Sequence, residues 1–349
     1  MKILHVLRGL EGTSGISAFL VQNADRQAAD GHQVAVLYER HFEYRPSESV
    51  EVFRRKMPFG IAFAPDIVHI HAIWSFFSVF AMLWCALRRI PFIVSPHGCL
   101  MPSVFERGAW RKKTFYHLFV RPMMRKAAAI HVTAAQEADV IRRLGFAQDV
   151  EIIPLGVDVS AGGKPCRHKP LRTMLFMGRL SAEKGLVNLL RAWRQIDGAG
   201  WRLELAGPDW KGHKAVLDEE IRQLGLSDNV IFTGSVVGEA KEEAYCNADC
   251  FVLPSPMENF SAVVLEALAH SLPVIATKGT PWRELEEFGC GWWVDIEVSA
   301  LREALEKATA LPAEKRREMG ERGRRLVEGK YTWSAVVKAL ERAYESVLR

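Results

Sequence analysis

The chain has 349 residues, of which 49% are hydrophobic and 25% are charged, and its formal net charge is +5. This is the composition of an ordinary soluble globular protein, and the length fits two domains better than one core. The mild positive charge suits an anionic ligand or an anionic membrane surface, whereas no basic groove pattern along the chain favours a nucleic acid.

The chain shows no pattern typical of secretion, membrane spanning or disulfide bonding. Residues 2–7 are too short an apolar run for a signal peptide, and the loop after them carries Arg8 and Glu11. The longest apolar run, 72–87, has about 16 residues against the roughly 20 that span a bilayer, so we predict a buried helix. The six cysteines contain no C-x-x-C pair, which predicts free thiols and no metal site.

Strands and helices alternate through the first half of the chain. The predicted strands are 2–7, 33–37, 66–70, 91–95, 130–133 and 151–153, and the predicted helices are 17–30 and 74–87. This alternation predicts a parallel sheet, in which ligands bind beyond the carboxyl ends of the strands. Gly9, Gly12 and Gly15 follow the first strand, but their spacing is not that of a dinucleotide-binding loop. A plain tight turn explains them equally well.

Histidines follow two of these predicted strands. His97 lies between a proline and a glycine directly after strand 91–95, where it is well placed for a ligand or serves as a structural turn residue. In the run His69-Ile70-His71, His71 would point to the edge of the cleft.

Residues 105–126 combine basic and aromatic side chains. This segment holds Arg107, Arg111, Lys112, Lys113, Arg121, Arg125 and Lys126, interleaved with Trp110, Phe115, Tyr116 and Phe119. Such a mixture is typical of a membrane interface, and we hypothesise peripheral membrane contact here. The alternative is a helix with its aromatic side in the core and its charges in water. Pro122 would kink or break the helix.

Residues 160–170 are rich in Gly, Lys and Pro and predict a linker, with a domain boundary near residue 165. After it, strands are predicted at 172–177, 201–206, 230–233, 250–253 and 273–277. Helices are predicted from 186 and at 214–224, 239–247, 262–269 and 333–348, with charged surface helices over 298–329. The second half therefore repeats the strand and helix alternation of the first.

The most informative stretch joins strand 250–253 to helix 262–269. Asn259 or Ser261 would cap this helix, whose N-terminus suits an anion. Two carboxylates lie here, Glu258 on the loop and Glu266 inside the helix. A nucleotide sugar needs this layout, with phosphates at the helix start and hydroxyls on the carboxylates. The alternative is a pair of solvated glutamates.

The pattern E-x7-E, within P-S-x-x-E-x-F and before L-E-A-L-A-x-x-x-P-V-I-A, resembles the retaining GT-B glycosyltransferases of the large family 4 type. Sucrose-phosphate synthases and bacterial mannosyl- and glucosyltransferases belong to that family. Two further motifs are similar to the family's: P-x-G-V-D at 154–158 and G-R-L-x-x-x-K-G at 178–185. The resemblance covers nearly the whole chain and is most specific between residues 174 and 277.

The resemblance implies an α/β GT-B fold, with two Rossmann-like domains whose parallel sheets face each other across a cleft. Residues 1–165 would bind the acceptor and 166–332 the nucleotide sugar, and helix 333–349 would cross back to the first domain. The family often has glycine at the position of Ser261 and again near His270 and Ser271, and this chain departs from that pattern.

The resemblance also implies a role for each site residue. Arg179 and Lys184 would bind the donor diphosphate, together with Gly15, Phe260 and Ser261. Two cations and a helix N-terminus can stabilise the charge that develops on a departing diphosphate, although a surface salt bridge would also explain the pair.

The resemblance further implies which residues contact the sugar and the nucleoside of the donor. Glu258 would orient the sugar and stabilise positive charge at its reacting carbon, and His97 would contact the sugar. Glu266 would hold the ribose, while Val236 and Val237 would line the nucleobase site. No metal and no cofactor is expected, because Arg179 and Lys184 can act where other enzymes use a metal.

The expected reaction is retaining transfer of a hexose from a UDP- or GDP-linked donor to a hydroxyl of a glycan, such as a lipid-linked polysaccharide or lipopolysaccharide precursor. The expected location is the cytoplasm, with the 105–126 segment on the inner membrane surface. Two alternatives are a nucleotide-sugar 2-epimerase on the same fold and a non-catalytic subunit that binds a membrane surface. Slow hydrolysis of a nucleotide sugar would separate them.

Overall fold

The computed structural model describes residues 1–11, 15–57, 60–106, 109–159 and 171–349. The chain forms two compact units. Unit 1 comprises Met1–Gly156 and Trp333–Arg349, and unit 2 comprises Val157–Thr332. The predicted boundary near residue 165 lies outside the described residues, as does Gly12.

Strands and helices are numbered along the whole chain. The strands are β1 Lys2–Val6, β2 Gly9–Leu10, β3 Gln33–Tyr38, β4 Arg40–Phe42, β5 Glu51–Arg54, β6 Ile67–His71, β7 Phe92–Ser95, β8 Ala129–Val132, β9 Asp149–Ile152, β10 Arg172–Met177, β11 Trp201–Ala206, β12 Val230–Gly234, β13 Cys250–Leu253, β14 Val274–Thr277 and β15 Gly291–Val294. The α-helices are α1 Gly15–Ala29, α2 Phe76–Arg88, α3 Pro102–Glu106, α4 Ala109–Phe115, α5 Arg121–Met124, α6 Ala135–Arg143, α7 Leu186–Trp193, α8 His213–Leu224, α9 Glu239–Cys246, α10 Ala262–Ala269, α11 Glu284–Glu287, α12 Val298–Ala310, α13 Ala313–Lys330 and α14 Trp333–Leu348.

The sheet of unit 1 is parallel, with strand order β5-β3-β1-β6-β7-β8-β9. The chain first builds the sheet outward from β1 to one side and then, from β6 onward, to the other. The gap between β1 and β6 is therefore the topological switch point, where open parallel sheets form a crevice for ligands.

Both faces of this sheet are covered, which explains why its strands are apolar along their whole length. One face packs against α1 and α14, through residues such as Ile67, Phe19 and Val336. The opposite face packs against α2 and its neighbours, through residues such as Val68 and Met82. The C-terminal helix α14 is thus part of the core of unit 1.

The sheet of unit 2 is also parallel, with strand order β12-β11-β10-β13-β14-β15. The chain adds β11 and β12 on one side of β10 and then, from β13 onward, adds strands on the other side. The β10–β13 pair therefore marks the second switch point. The two predicted Rossmann-like domains with parallel sheets are therefore confirmed.

Predicted and observed elements agree closely where strands are buried, and they differ at the sheet edges. The edge strands β5 and β15 were not predicted, because Glu-Val-Phe-Arg is largely exposed and Gly-Trp-Trp-Val begins with a glycine. The apolar run 72–87 forms the 13-residue helix α2, capped by Ser75. Calling this helix buried was wrong in part, because Phe76 and Leu87 are 53% and 74% exposed.

The described part of the segment 105–126 is a broken helix rather than a continuous one. A π-helical turn at Tyr116–Val120 separates α4 from α5, and the N–H of Arg121 reaches back to the carbonyl of Tyr116. Pro122 follows directly and has no N–H to donate, which accounts for the break. Among the described residues, every helix is too short or too polar to cross a bilayer.

Candidate active site

The switch point of unit 2 brings two loops together. One loop, 178–185, follows β10 and leads to α7, and the other, 254–261, follows β13 and leads to α10. Gly185 has φ of +68°, and a Cβ there would lie 2.3 Å from the carbonyl oxygen of Pro254. Only glycine permits this backbone approach, so the two loops are held against each other.

The approach of the loops pairs two of the predicted site residues. The Lys184 Nζ donates a hydrogen bond to Glu258 Oε1 in a short ion pair. Both side chains are largely buried, with 18% and 16% of their surfaces exposed. The backbone N–H of Glu258 also donates to the carbonyl of Gly279, at 2.8 Å. Lys184 is therefore in a salt bridge, but one largely buried between the two loops of this candidate site rather than on the surface.

Arg179 is held differently. Its exposed guanidinium lies 4.7 Å above the ring of Trp210, a cation–π contact that orients the side chain. No carboxylate in the described ranges forms an ion pair with it, so its charge is available for an anion. The sequence analysis missed Trp210, although its place just after a Gly-Pro-Asp turn at the end of β11 was a usable signal.

The N-terminus of α10 has no side-chain cap. Ser261 occupies the cap position, as expected, but its backbone is left-handed, with φ and ψ both 71°, and its side chain makes no capping bond. The predicted cap was therefore wrong for Ser261, because a capping side chain requires an extended backbone. The hydroxyls of Ser261 and Ser255 are buried and have no hydrogen-bond partner among the residues that the structure describes. Such polar atoms call for water or a ligand.

Glu266 lies one turn into α10 and is already bonded. Its two carboxylate oxygens accept hydrogen bonds from Lys241 Nζ, at 2.6 Å, and from the Tyr245 hydroxyl, at 2.7 Å. Burial and then the charge of Glu266 raise the pKa of Tyr245 well above its ordinary value, so the hydroxyl remains a donor. The sequence analysis found neither partner. The ribose-binding role of Glu266 stays a prediction.

The other predicted donor residues occupy varied places. Val237 is 76% exposed in the loop before α9, with Val236 beside it. The ring of Phe260 packs into the core against Trp282, with centroids 5.3 Å apart, which leaves only its backbone for a diphosphate. Gly15 begins α1 in unit 1, and a Cβ there would meet nothing within 4 Å.

His97 lies at the carboxyl end of β7 in unit 1. Its φ of +53° is unusual for a side-chain-bearing residue and is a strain often found at functional sites. Its ring Nε2 lies 3.0 Å from His71 Nδ1, and the N–H of Gly98 donates to the buried carboxylate of Glu137. Glu137, which the sequence analysis missed, therefore fixes the backbone beside His97.

Four more histidines surround His97: His5, His69, His71 and His131, all fully or almost fully buried. Burial lowers the pKa of His97 to about 3 and the pKa of His5 to about 4. Ring nitrogens of His5, His69 and His71 lie within 4.8 Å of one another, a spacing that could hold a metal ion. Each nitrogen of these three rings, however, already has a protein hydrogen-bond partner.

Two family models match the chain. The model described as glycosyl transferases group 1 matches residues 166–326, and the model described as glycosyl transferase 4-like domain matches residues 14–156. The GDP-mannose:cellobiosyl-diphosphopolyprenol alpha-mannosyltransferase of Xanthomonas campestris is 26% identical, over 100% of this chain and 97% of its own length.

Solved structures share the fold at low identity. Sucrose-phosphate synthase from Thermosynechococcus elongatus has a TM-score of 0.80 at 20% identity, covering 99% of this chain and 98% of that one. HepE from Anabaena, in complex with UDP and glucose, has a TM-score of 0.77 at 18% identity, covering 99% and 100%. With its two Rossmann-like units and the two models that together span most of its length, the chain belongs to the GT-B glycosyltransferases of the family 4 type.

Proposed function

We propose that this glycosyltransferase moves a hexose from a UDP- or GDP-linked donor to a glycan hydroxyl with retention of anomeric configuration. The observation that carries the proposal is the buried Lys184–Glu258 pair beside the uncapped start of α10. A cation, a carboxylate and free helix N–H groups at one switch point match a diphosphate and its sugar.

The donor diphosphate would be gripped by cations and helix N–H groups. Arg179 offers an uncompensated guanidinium steadied by Trp210, and Lys184 offers an ammonium shared with Glu258. As the glycosidic bond breaks, negative charge grows on the departing phosphate, and these groups stabilise it. The buried hydroxyls of Ser255 and Ser261 are further donors for the same anion.

The retaining course is implied by the resemblance of the E-x7-E and G-R-L-x-x-x-K-G motifs to those of retaining enzymes, and these motifs contain no obvious side-chain nucleophile. In our proposal the departing phosphate accepts the proton of the acceptor hydroxyl on the same face of the sugar. Glu258 orients the sugar and stabilises the positive charge at the reacting carbon, and His97 contacts the sugar. An NMR assignment of the product anomer from an α-linked donor tests this course. A β-linked product would contradict it.

Metal independence is part of the proposal, because Arg179 and Lys184 supply positive charge at the diphosphate. Turnover should continue in EDTA. Loss of all turnover, restored by magnesium or manganese, would show that a metal is required.

The acceptor is proposed to be a lipid-linked glycan, in line with the diphosphopolyprenol acceptor in the name of the Xanthomonas relative. That relative's name also favours GDP-mannose as donor, whereas HepE binds UDP and glucose. No comparison supports the 2-epimerase or the non-catalytic subunit.

Peripheral contact with the cytoplasmic face of the inner membrane is proposed for the segment 105–126. Trp110 and Leu118 are 70% and 63% exposed, and Phe119 meets the exposed Phe76 of α2 with ring centroids 5.4 Å apart. Tyr116 and Met124, by contrast, are buried in the core. Some aromatic side chains of the segment therefore pack in the core, and the others are exposed and form an apolar surface beside basic residues.

Flotation with anionic liposomes tests this contact. Arg111 and Lys113 are exposed, whereas Lys112 is committed to the carbonyl of Val104 at 2.8 Å, so the variant is Arg111→Glu with Lys113→Glu. Its matched control reverses two exposed, unpaired charges of unit 2, Lys307→Glu with Arg325→Glu. We expect only the first variant to lose flotation, and equal flotation of both would reject the contact.

A thermal-shift panel of nucleoside diphosphates and their sugars tests the donor assignment. A ligand that binds only the folded protein raises the melting temperature, so the cognate base should stand out. Lys184→Met should reduce the shift, whereas Lys214→Met, which removes a partly exposed lysine paired with Asp218 on α8, should not. No shift with any nucleotide would contradict the proposal.

A further inference from the structure

The buried histidines of unit 1 form an ordered structure that the proposed reaction does not explain. His5 is in register with His69 across β1 and β6, and His71 is in register with Ser95 across β6 and β7. Because side chains alternate along a strand, His69 and His71 lie on the same face of the sheet. Polar rings thus form a row on the face that α1 and α14 cover.

One chain of hydrogen bonds ends at a backbone carbonyl, which settles its direction. The carbonyl of Ile153 can only accept, so His131 donates from Nε2, at 2.8 Å, and accepts at Nδ1 from the Ser95 hydroxyl, at 2.6 Å. Ser95 Oγ then accepts from His69 Nε2, at 2.6 Å, and His69 Nδ1 accepts from the Tyr344 hydroxyl, at 2.6 Å. Every donor and acceptor in this chain is used once.

A second chain leads to His97. Gln27 turns its carbonyl oxygen towards His5 Nε2, at 2.8 Å, so His5 donates there and accepts at Nδ1. His71 therefore donates from Nε2 to His5, at 3.1 Å, and its Nδ1 accepts from His97 Nε2, at 3.0 Å. Turning the Gln27 amide over would reverse every bond in the chain.

These assignments require neutral rings, and burial supplies that condition. Burial lowers the pKa of His5 and His131 to about 4, and it holds the pKa values of His69 and His71 well below the ordinary value. A neutral imidazole has one donor and one acceptor nitrogen, so fixing one nitrogen fixes the other.

The second chain of hydrogen bonds ends at His97, the residue that the proposed function assigns to the sugar. His97 is more exposed than the other four histidines, and no partner within the described part of the chain binds its Nδ1. With Nε2 committed as a donor to His71, the Nδ1 lone pair is left to accept. Its natural partner is a hydroxyl group of a bound sugar.

We propose that His71 and His5 are positioning residues that hold His97 in its Nε2–H tautomer, so that Nδ1 accepts a hydrogen bond from a hydroxyl of the transferred sugar. This inference rests on the proposed function for the contact between His97 and the sugar. It explains why His97 would accept a hydrogen bond from the sugar rather than donate one. It also gives His5 and His71 a role in the reaction, although neither residue contacts the substrate.

The test begins with the wild-type protein, labelled with ¹⁵N in its histidines. Two-bond proton–nitrogen spectra distinguish the two tautomers, and we expect Nε2–H for His97 at neutral pH. A His97 ring in the Nδ1–H form, or protonated on both nitrogens, would overturn the proposal without any mutation.

A pair of nearly isosteric variants tests the role of His71. His71→Asn keeps an oxygen near the position of Nδ1 and can still accept from His97, whereas His71→Leu cannot. We expect His97 to keep its tautomer only in His71→Asn. His71→Leu should lower kcat by about 2- to 12-fold, the effect of one neutral hydrogen bond. His32→Asn, a change at a histidine paired with Glu341, should alter neither readout.

His97→Ala distinguishes the contact between His97 and the sugar from the positioning of His97 by His71 and His5. If His97→Ala retains full turnover while the wild-type tautomer is Nε2–H and depends on His71, the sugar contact fails and the positioning network stands. If His97→Ala is inactive but His71→Leu leaves tautomer and kcat unchanged, the positioning proposal fails. Stoichiometric zinc in the purified protein, lost in His5→Leu, would also overturn it, because the rings would then be metal ligands.

Discussion

Replacing Glu258 by glutamine should tighten the binding of a nucleoside diphosphate while it removes turnover. In the unliganded protein Glu258 neutralises Lys184, and both side chains are more than four-fifths buried. A diphosphate must compete with this carboxylate for the ammonium group. Glutamine retains an oxygen that can accept from Lys184, but it carries no charge, so the lysine becomes available to the ligand.

The size of the effect follows from the burial of the pair. Exposed ion pairs contribute about 0.2–1 kcal/mol, and hydrogen bonds to charged groups about 1.5–3 kcal/mol, so a largely buried pair that the ligand partly replaces should contribute about 1–2 kcal/mol. The dissociation constant of the nucleoside diphosphate should therefore fall by about 5- to 30-fold. Turnover should fall by at least about 100-fold, because the stabilising charge near the reacting carbon is lost.

Isothermal titration of nucleoside diphosphate, together with an assay of sugar transfer, measures both effects. Glu220→Gln is the matched control, since Glu220 forms an ion pair with Arg191 on the surface of unit 2, and it should change neither quantity. Weaker binding by Glu258→Gln would refute the reasoning, because it would show that the carboxylate supports the diphosphate rather than competing with it.

Three further predictions concern backbone geometry and buried histidines. Gly185→Ala should lower the free energy of unfolding by at least about 2 kcal/mol more than Gly212→Ala does, as measured by chemical denaturation. Both glycines have positive φ, but only at position 185 would the added Cβ lie against a backbone oxygen. Ser261→Gly should raise the free energy of unfolding by about 0.5–1 kcal/mol by relieving a left-handed backbone, and a lower value would contradict this account. The free energy of unfolding should fall as the pH drops from about 6.5 to 4, because histidines of the unfolded chain take up protons in this range while the buried rings stay neutral. In His5→Leu the slope of this free energy against pH should decrease by the equivalent of up to about one bound proton.

The sequence predicted those parts of the site that lie on single strand-loop-helix units. Arg179, Lys184 and Glu258 each lie in a loop that follows a buried strand, and parallel sheets place such loops at one edge. The contact between Lys184 and Glu258 could not be predicted from the sequence, because it depends on β10 and β13 being neighbours in the sheet. Strand order is a property of the whole sheet, and no local pattern encodes it.

The departures from the family pattern have a physical meaning that only the structure reveals. The family often has glycine where this chain has Ser261 and near Ser271. Both residues adopt positive φ, 71° and 58°, which glycine adopts without strain. Glycine would therefore fit the backbone of this chain at both positions, and at Ser261 the hydroxyl has no partner among the described residues beside the start of α10.

The histidine network shows the same limit of sequence reasoning. Alternation along β6 places His69 and His71 on one face, which the sequence could have indicated. His5 and His131 join them from two other strands, and Tyr344 joins from the C-terminal helix about 275 positions away from His69. Contacts of such long range follow from the packing of α14 on the sheet, not from spacing along the chain.

The central claim is that Arg179 and Lys184 bind the diphosphate of the donor. Titration of nucleoside diphosphate into Arg179→Met, Lys184→Met and the wild-type protein tests it most directly. We expect each substitution to weaken binding by about 10- to 150-fold, the equivalent of a charge-assisted hydrogen bond of about 1.5–3 kcal/mol. Unchanged affinity in both variants would contradict the account.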